Sequence, residues 1–182
     1  RQMCIRDSWG AVSNAAEHMS KSDTFNPGTI DHPGVDEFID LIERLAESPY
    51  PKGDEGDHDE ERSLEWGNWD VRVYAASSAL NFARKHPAVA LSRCMPLLYR
   101  FLDDPVANVR LQVAQAINVF WSSARDEVWK LLEKVTANER NVSVLSFFIG
   151  GTLNRLAHAV PDRVESLLAT VLNRLPTLKW SR

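Results

Sequence analysis

The side chains with the widest chemical reach in this sequence are few and scattered. Five histidines (His18, His32, His58, His86, His158) and two cysteines (Cys4, Cys94) show no metal-ligand or nucleophile spacing. The run from Gly53 to Glu61 clusters carboxylates, which a hard cation would want. An EF-hand loop needs glycine at its sixth position and glutamate at its twelfth, and this run does not fit that spacing. It reads as a solvated acidic loop. Gly150-Gly151-Thr152 lacks the lysine and spacing of a phosphate loop. His86 and His158 each precede a turn, where an imidazole can bond the last carbonyls of a helix. Cys94 reads as a small packed side chain. No catalytic, cofactor-binding or metal-binding residue is assigned.

The remaining signal lies in the elements. From Asp104 to Trp121 the chain reads as a turn followed by one helix, with Val106, Val109, Val113, Ala116, Ile117 and Phe120 on one face. Similar runs open at Asp70-Val71-Arg72 and at Asn141-Val142-Ser143. Arg72 lies 38 residues before Arg110, and Arg110 lies 33 before Ser143. Helices carrying Leu97-Leu98, Leu131-Leu132 and Leu167-Leu168 alternate with them at spacings of 34 and 36. An earlier Leu41-Ile42 fits the same series if residues 49–69 are an insertion. A period in the thirties built from two helix types predicts an all-α fold, an α-solenoid of stacked antiparallel helix pairs.

Several features mark individual helices. Pro96 is expected to kink its helix. Gly150-Gly151 interrupts the helix Val142–Ala157 and permits a bend or a close contact. A short N-terminal helix is expected from Trp9 to Met19, with Val12, Ala15, Ala16 and Met19 as its apolar positions. Trp66 and Trp69 are expected to anchor the chain where it returns from the insertion.

Leu97-Leu98-x-x-Phe101-Leu102-Asp103-Asp104-Pro105, followed by Val109-Arg110-x-x-Val113-Ala114-x-Ala116-Ile117, resembles a HEAT repeat, of which the chain would hold about three and a half. Armadillo-like and other helix-pair repeats would look similar. The resemblance covers residues 34–175 and is clearest over 70–122. It implies an outer helix A and an inner helix B joined by a turn with Asp and Pro. It also implies a polar ladder between repeats, pairing Arg110 with Asp103 or Asp104, and Arg72 with Asp70 or a neighbouring turn. The third unit departs from the pattern. Ser143 stands where the arginine would be, and the turn Asn138–Asn141 lacks proline.

The 182 residues carry 44% hydrophobic and 25% charged side chains and a formal net charge of −4, ordinary for a soluble domain. The charge is uneven. Residues 31–70 hold fourteen acidic and three basic side chains, and residues 71–182 hold eight acidic and fifteen basic. No apolar run reaches the ~18 residues of a membrane span. A cytoplasmic, reduced setting is expected. The expected organisation is a tail at 1–8, a helix and loop at 9–33, the repeat domain at 34–175 and a C-terminal tail at 176–182. Residues 1–8 resemble a translated sequencing-adapter remnant, as found at the ends of metagenomic predictions. The chain is then expected to be a fragment of a larger repeat-containing bacterial protein, truncated also at its C-terminal end.

The leading functional expectation is a non-catalytic protein–protein interaction scaffold. The B helices and their leading turns carry Arg72, Arg84, Lys85, Arg110, Arg140 and Arg155 against one acid, Asp70. With Arg72 and Arg110 assigned to the ladder, a concave patch remains. It comprises Arg84, Lys85, Arg140 and Arg155, with Gln115, Asn118 and Asn154 as hydrogen-bonding neighbours, and suits an acidic protein or peptide. The alternative is a nucleic-acid-binding relative of the HEAT-like DNA glycosylases. The acidic segment argues against it, and four charges without a clear aromatic stack do not favour nucleic acid.

Overall fold

The computed structural model describes residues 2–23, 33–52 and 70–174, and all regular structure among them is helical. The acidic run with Trp66 and Trp69, residues 24–32 and the tail from Leu175 lie outside the described residues. The chain divides between Asp103 and Asp104 into two compact units.

The first unit holds α1 (Gln2–Lys21), α2 (Pro33–Ala46), α3 (Val71–Lys85) and α4 (Pro87–Leu102). Apolar residues at helical spacing bring α2 onto both α3 and α4. Phe38 and Phe82 meet edge to face, centroids 4.8 Å apart, among fully buried Ile39, Ile42, Leu45 and Leu98. The helix α4 runs through Pro96, which stays on its exposed side. Arg93 on α4 reaches Asp36 and Asp40 on α2 at 2.6 and 2.8 Å.

The second unit holds α5 (Ala107–Ala114), a 3-10 helix η1 (Ile117–Phe120), α6 (Arg125–Asn138), α7 (Val142–Phe147), a π-helical stretch (Phe148–Leu153), α8 (Asn154–Ala157) and α9 (Pro161–Arg174). Within it α5 packs on α7, and α6 on α9. The first unit shows the same like-on-like stacking, α2 on α4 and α1 on α3. The chain thus alternates two helix types, as the spacing predicts. Helix α1 takes a place beside α3 that corresponds to that of α5 beside α7.

Among the described residues no φ is positive. These helices therefore end without the left-handed residue that usually satisfies the last carbonyls. Arginines supply donors instead. On α4, Arg100 donates to the Ala46 carbonyl at the end of α2, at 3.2 Å. On α9, Arg174 donates to the carbonyls of Thr136 and Glu139 at the end of α6. At the head of α3, Arg72 donates to the Ser48 carbonyl at 2.8 Å. At the head of α5, Arg110 donates to the Asp104 and Pro105 carbonyls at 2.9 and 3.0 Å.

The ladder has a different carboxylate from the one the resemblance implies. Arg110 binds Glu139 two-pronged, Nε to Oε2 at 2.8 Å and Nη2 to Oε1 at 3.0 Å. The Asp104 side chain accepts from the Val106 amide, at 2.8 Å, and orders the turn. Glu139 also accepts from the amides of Arg140 and Asn141 at 2.9 and 2.8 Å. The Asp70 carboxylate accepts from the Val71 amide and pairs with Arg6 of α1.

The N-terminal helix corrects the sequence reading twice. It begins at Gln2, so residues 2–8 continue it, and Arg6 in that stretch reaches Asp70 and lies 5.4 Å over the Tyr50 ring. Of its predicted apolar positions only Ala16 is buried. Ser13, Ala16, Glu17 and Ser20 are buried, whereas Trp9, Val12 and Met19 stay 42%, 40% and 41% exposed. The physical reason lies on α3, which offers a polar partner. Ser77 donates to Glu17 at 3.1 Å, and Lys21 closes an ion pair on the same carboxylate. Burial, followed by the Glu17 and Asp70 charges, pushes the Tyr74 phenol above its usual range.

Removing one partner from a buried pair leaves the other charge desolvated and uncompensated. The Arg110 and Glu139 side chains are only 13% and 5% exposed. We therefore expect Glu139→Ala to cost about 3 kcal/mol, a fall in melting temperature of roughly 6–12 °C for a chain of this size. Arg110→Lys should also lose stability, because an ammonium cannot reproduce the two-pronged contact. Thermal unfolding followed by circular dichroism checks both.

Candidate functional site

The irregular part of the second unit is where the sequence breaks its own repeat. The run 104–121 reads as one helix, but α5 stops at Ala114 and η1 begins at Ile117. Gln115 and Ala116 bridge the two, with Ala116 at φ −136° and ψ 16°. The facing helix supplies a partner at the break. In an unbroken α-helix the Ala114 carbonyl would accept from the amide four residues on. Here it accepts from the Thr152 hydroxyl at 2.7 Å, and Thr152 is fully buried.

The facing rod is irregular at the same level. Gly150-Gly151 sits within the π-helical stretch between α7 and α8. π-turns inside α-helices are uncommon and frequently mark functional positions. Gly151 is required by contact: a Cβ there would lie 2.6 Å from the Gln115 carbonyl oxygen. Gly150 is not, because a Cβ there meets nothing within 4 Å. The interruption predicted for the glycine pair thus has two parts, a close approach at Gly151 and open space at Gly150.

That open space belongs to a cavity of about 350 Å³. Gln115 and Ala116 line it from the break in α5, and Ser146, Phe147, Gly150 and Arg155 line it from the facing rod. Gln115 and Arg155, far apart in sequence and both assigned to the partner surface, meet here. Ser146, Phe147 and the glycines were not assigned to it. The glycine pair was their one visible signal.

The other expected surface residues are less united. Arg84 is exposed on α3 in the first unit. Lys85 donates to the Lys21 carbonyl and to Asp23 at 2.6 Å. It closes the end of α1, and this corrects its assignment to a free surface. Asn118 lies in η1 with a buried Oδ1 that has no partner among the described residues. Arg140 and Asn154 are exposed. Arg140 and Arg155 stand at opposite ends of the α7–α8 rod, roughly 20 Å apart at helical rise.

Three further features define the available chemistry. Trp121 and Trp129 meet edge to face at 5.6 Å, with Arg125 5.1 Å over the first ring and Arg163 3.7 Å over the second. Among the described residues no group of three or more His, Cys, Asp or Glu could hold a metal ion. Cys94 is buried, and burial pushes its thiol up to about 12.

Two measurements follow from this geometry. At pH 8 a thiol with that value is ionised to about one part in ten thousand. In a Cys4→Ser background, Cys94 should resist maleimide until the chain unfolds; labelling of the native state at the rate of a free thiol would contradict its packing. The glycines should separate cleanly. Gly150→Ala should raise stability by up to about 1 kcal/mol, the usual helix gain. Gly151→Ala should lower it, because the neighbour it strikes is backbone. Paired melting curves read both signs.

Among the described residues no helix is long and apolar enough to cross a membrane. No curated protein and no solved structure matches this chain. A family model for the HEAT repeat matches residues 94–130, from the second half of α4 through α5 and η1 into α6. Among the described residues the chain is all-α, of the HEAT-like α-solenoid class, with like helices stacked within each unit, and residues 94–130 match the HEAT repeat.

Proposed function

We propose that this chain is a non-catalytic protein-interaction scaffold that takes an acidic protein or peptide. One observation carries the reading. Most of the described arginines are committed to the protein's own carbonyls, carboxylates and aromatic rings, whereas Arg84, Arg140 and Arg155, like Arg44 on α2, make no such contact among the described residues. Charges left free on a folded surface steer and orient a partner of opposite sign. Arg84 acts from the first unit, and Arg140 and Arg155 act from the second. A cytosolic setting accords with the buried Cys94 thiol. Nucleic acid is the weaker fit, because the faces of Trp121 and Trp129 that a base would stack on already carry Arg125 and Arg163.

The test compares a fluorescent glutamate-rich peptide with duplex DNA on the full chain, by anisotropy at about 50 and about 300 mM salt. The peptide should bind and weaken with salt. The triple reversal Arg84→Glu, Arg140→Glu, Arg155→Glu should weaken it at least tenfold, with the helical spectrum unchanged. Peptide affinity indifferent to the reversal, or duplex binding with the steeper salt slope, overturns the reading.

A further inference from the structure

We propose that the cavity between the α5 break and the α7–α8 rod is a carboxylate-binding site, taking one carboxylate of a peptide together with its flanking apolar side chain. The inference rests on the scaffold reading and specifies where the acidic group lodges.

The cavity's polar lining offers donors that the rest of the described chain does not use. Arg155, Gln115 and Ser146 all line it, and none makes a side-chain hydrogen bond or ion pair among the described residues. A guanidinium offers two parallel N–H groups that match the two oxygens of a carboxylate. An amide and a hydroxyl can donate to the lone pairs that remain. No acidic side chain lines the cavity, so an incoming carboxylate would meet no like charge at its walls. Phe147 and Ala116 supply apolar wall beside these donors.

The volume sets the size of the ligand. About 350 Å³ is at the lower end for ligand sites, room for roughly one or two amino-acid side chains and not for a dinucleotide cofactor. The walls are also held apart by construction of the backbone. Thr152 bonds the Ala114 carbonyl at the break in α5, and Gly151 allows the close approach of the two helices at the Gln115 carbonyl. A preformed site loses less affinity to ordering than one that must assemble. Gly150 keeps the interior clear, since its Cβ position is open.

The carboxylate could belong to an acidic side chain or to the end of a peptide chain, and four probes separate these sources. They are acetyl-phenylalanyl-glutamate amide, its glutamine analogue, acetyl-phenylalanyl-alanine with a free terminus, and the amide of that last compound. Each is titrated into the unaltered 182-residue protein and followed by amide chemical shifts. The expected result is that one or both carboxylate probes shift the amides of Phe147, Gly150 and Gly151, while both neutral analogues leave them in place. The glutamate probe identifies a side chain as the source, and the free-terminus probe identifies a chain end. Arg155→Gln should weaken the binding at least tenfold, and Gly150→Leu, which fills the space, should abolish it. Equal shifts from neutral and charged probes, or no shift at these amides from any probe, overturns the proposal without recourse to a variant. If the glutamate-rich peptide still binds and responds to Arg84→Glu and Arg140→Glu, but Gly150→Leu has no effect on it, the scaffold reading stands and the cavity falls.

Discussion

The two-pronged contact between Arg110 and Glu139 is the constraint on which the second unit depends. A buried ion pair contributes only when its remaining lone pairs and protons are satisfied. Here they are. Glu139 accepts from the guanidinium and from two backbone amides, and Arg110 gives its other donor nitrogen to two carbonyls of its own turn. The pair therefore fixes the head of α5 against the turn that launches α7. It also explains why the third repeat needs no arginine at Ser143. The carboxylate in its leading turn is already held by the arginine of the preceding repeat.

The same economy of donors runs through both units. A helix without a left-handed terminal residue leaves carbonyls that something else must satisfy. Arg100 does this for α2 and Arg174 does it for α6, each from the next helix of the same type. Arg72 and Arg110 do it for the turns before α3 and α5. Each of these side chains links neighbouring elements of its unit while removing an unsatisfied group. Stability and alignment within each unit thus come from the same arginines, and these are not the ones open to a partner.

What could be read from the sequence follows from what periodicity reports. Burial at Phe38, Ile42, Leu98, Phe101, Leu131 and Leu132 is a matter of helical phase, and the alternation of two helix types was legible for that reason. Phase failed for α1. Of its apolar positions Val12, Ala15 and Met19 stay exposed and only Ala16 is buried, because Glu17 finds a polar partner in Ser77 on α3. Periodicity cannot see that a buried carboxylate has a partner sixty residues away. It failed again between Ala114 and Ile117, where every apolar position keeps helical spacing while the backbone does not. The ladder failed more narrowly. The arginines were marked, but Glu139 stands in a turn without the Asp-Pro pattern, so spacing gave no reason to choose it.

The two irregularities of the second unit also bear on each other. Where α5 stops, the Ala114 carbonyl accepts from the buried Thr152 hydroxyl of the facing rod. A buried hydroxyl without a partner is unfavourable by about a kcal/mol or more, so this bond joins the end of α5 to the facing rod. The π-helical stretch, with its wider turn, brings Thr152 and Gly151 to the break together. A regular pair of helices would close along its whole length. This pair closes at Gly151 and stands open at Gly150, and the opening carries Arg155, one of the arginines that the frame does not use. The departure from the repeat is thus what leaves both a space and a free charge at one place.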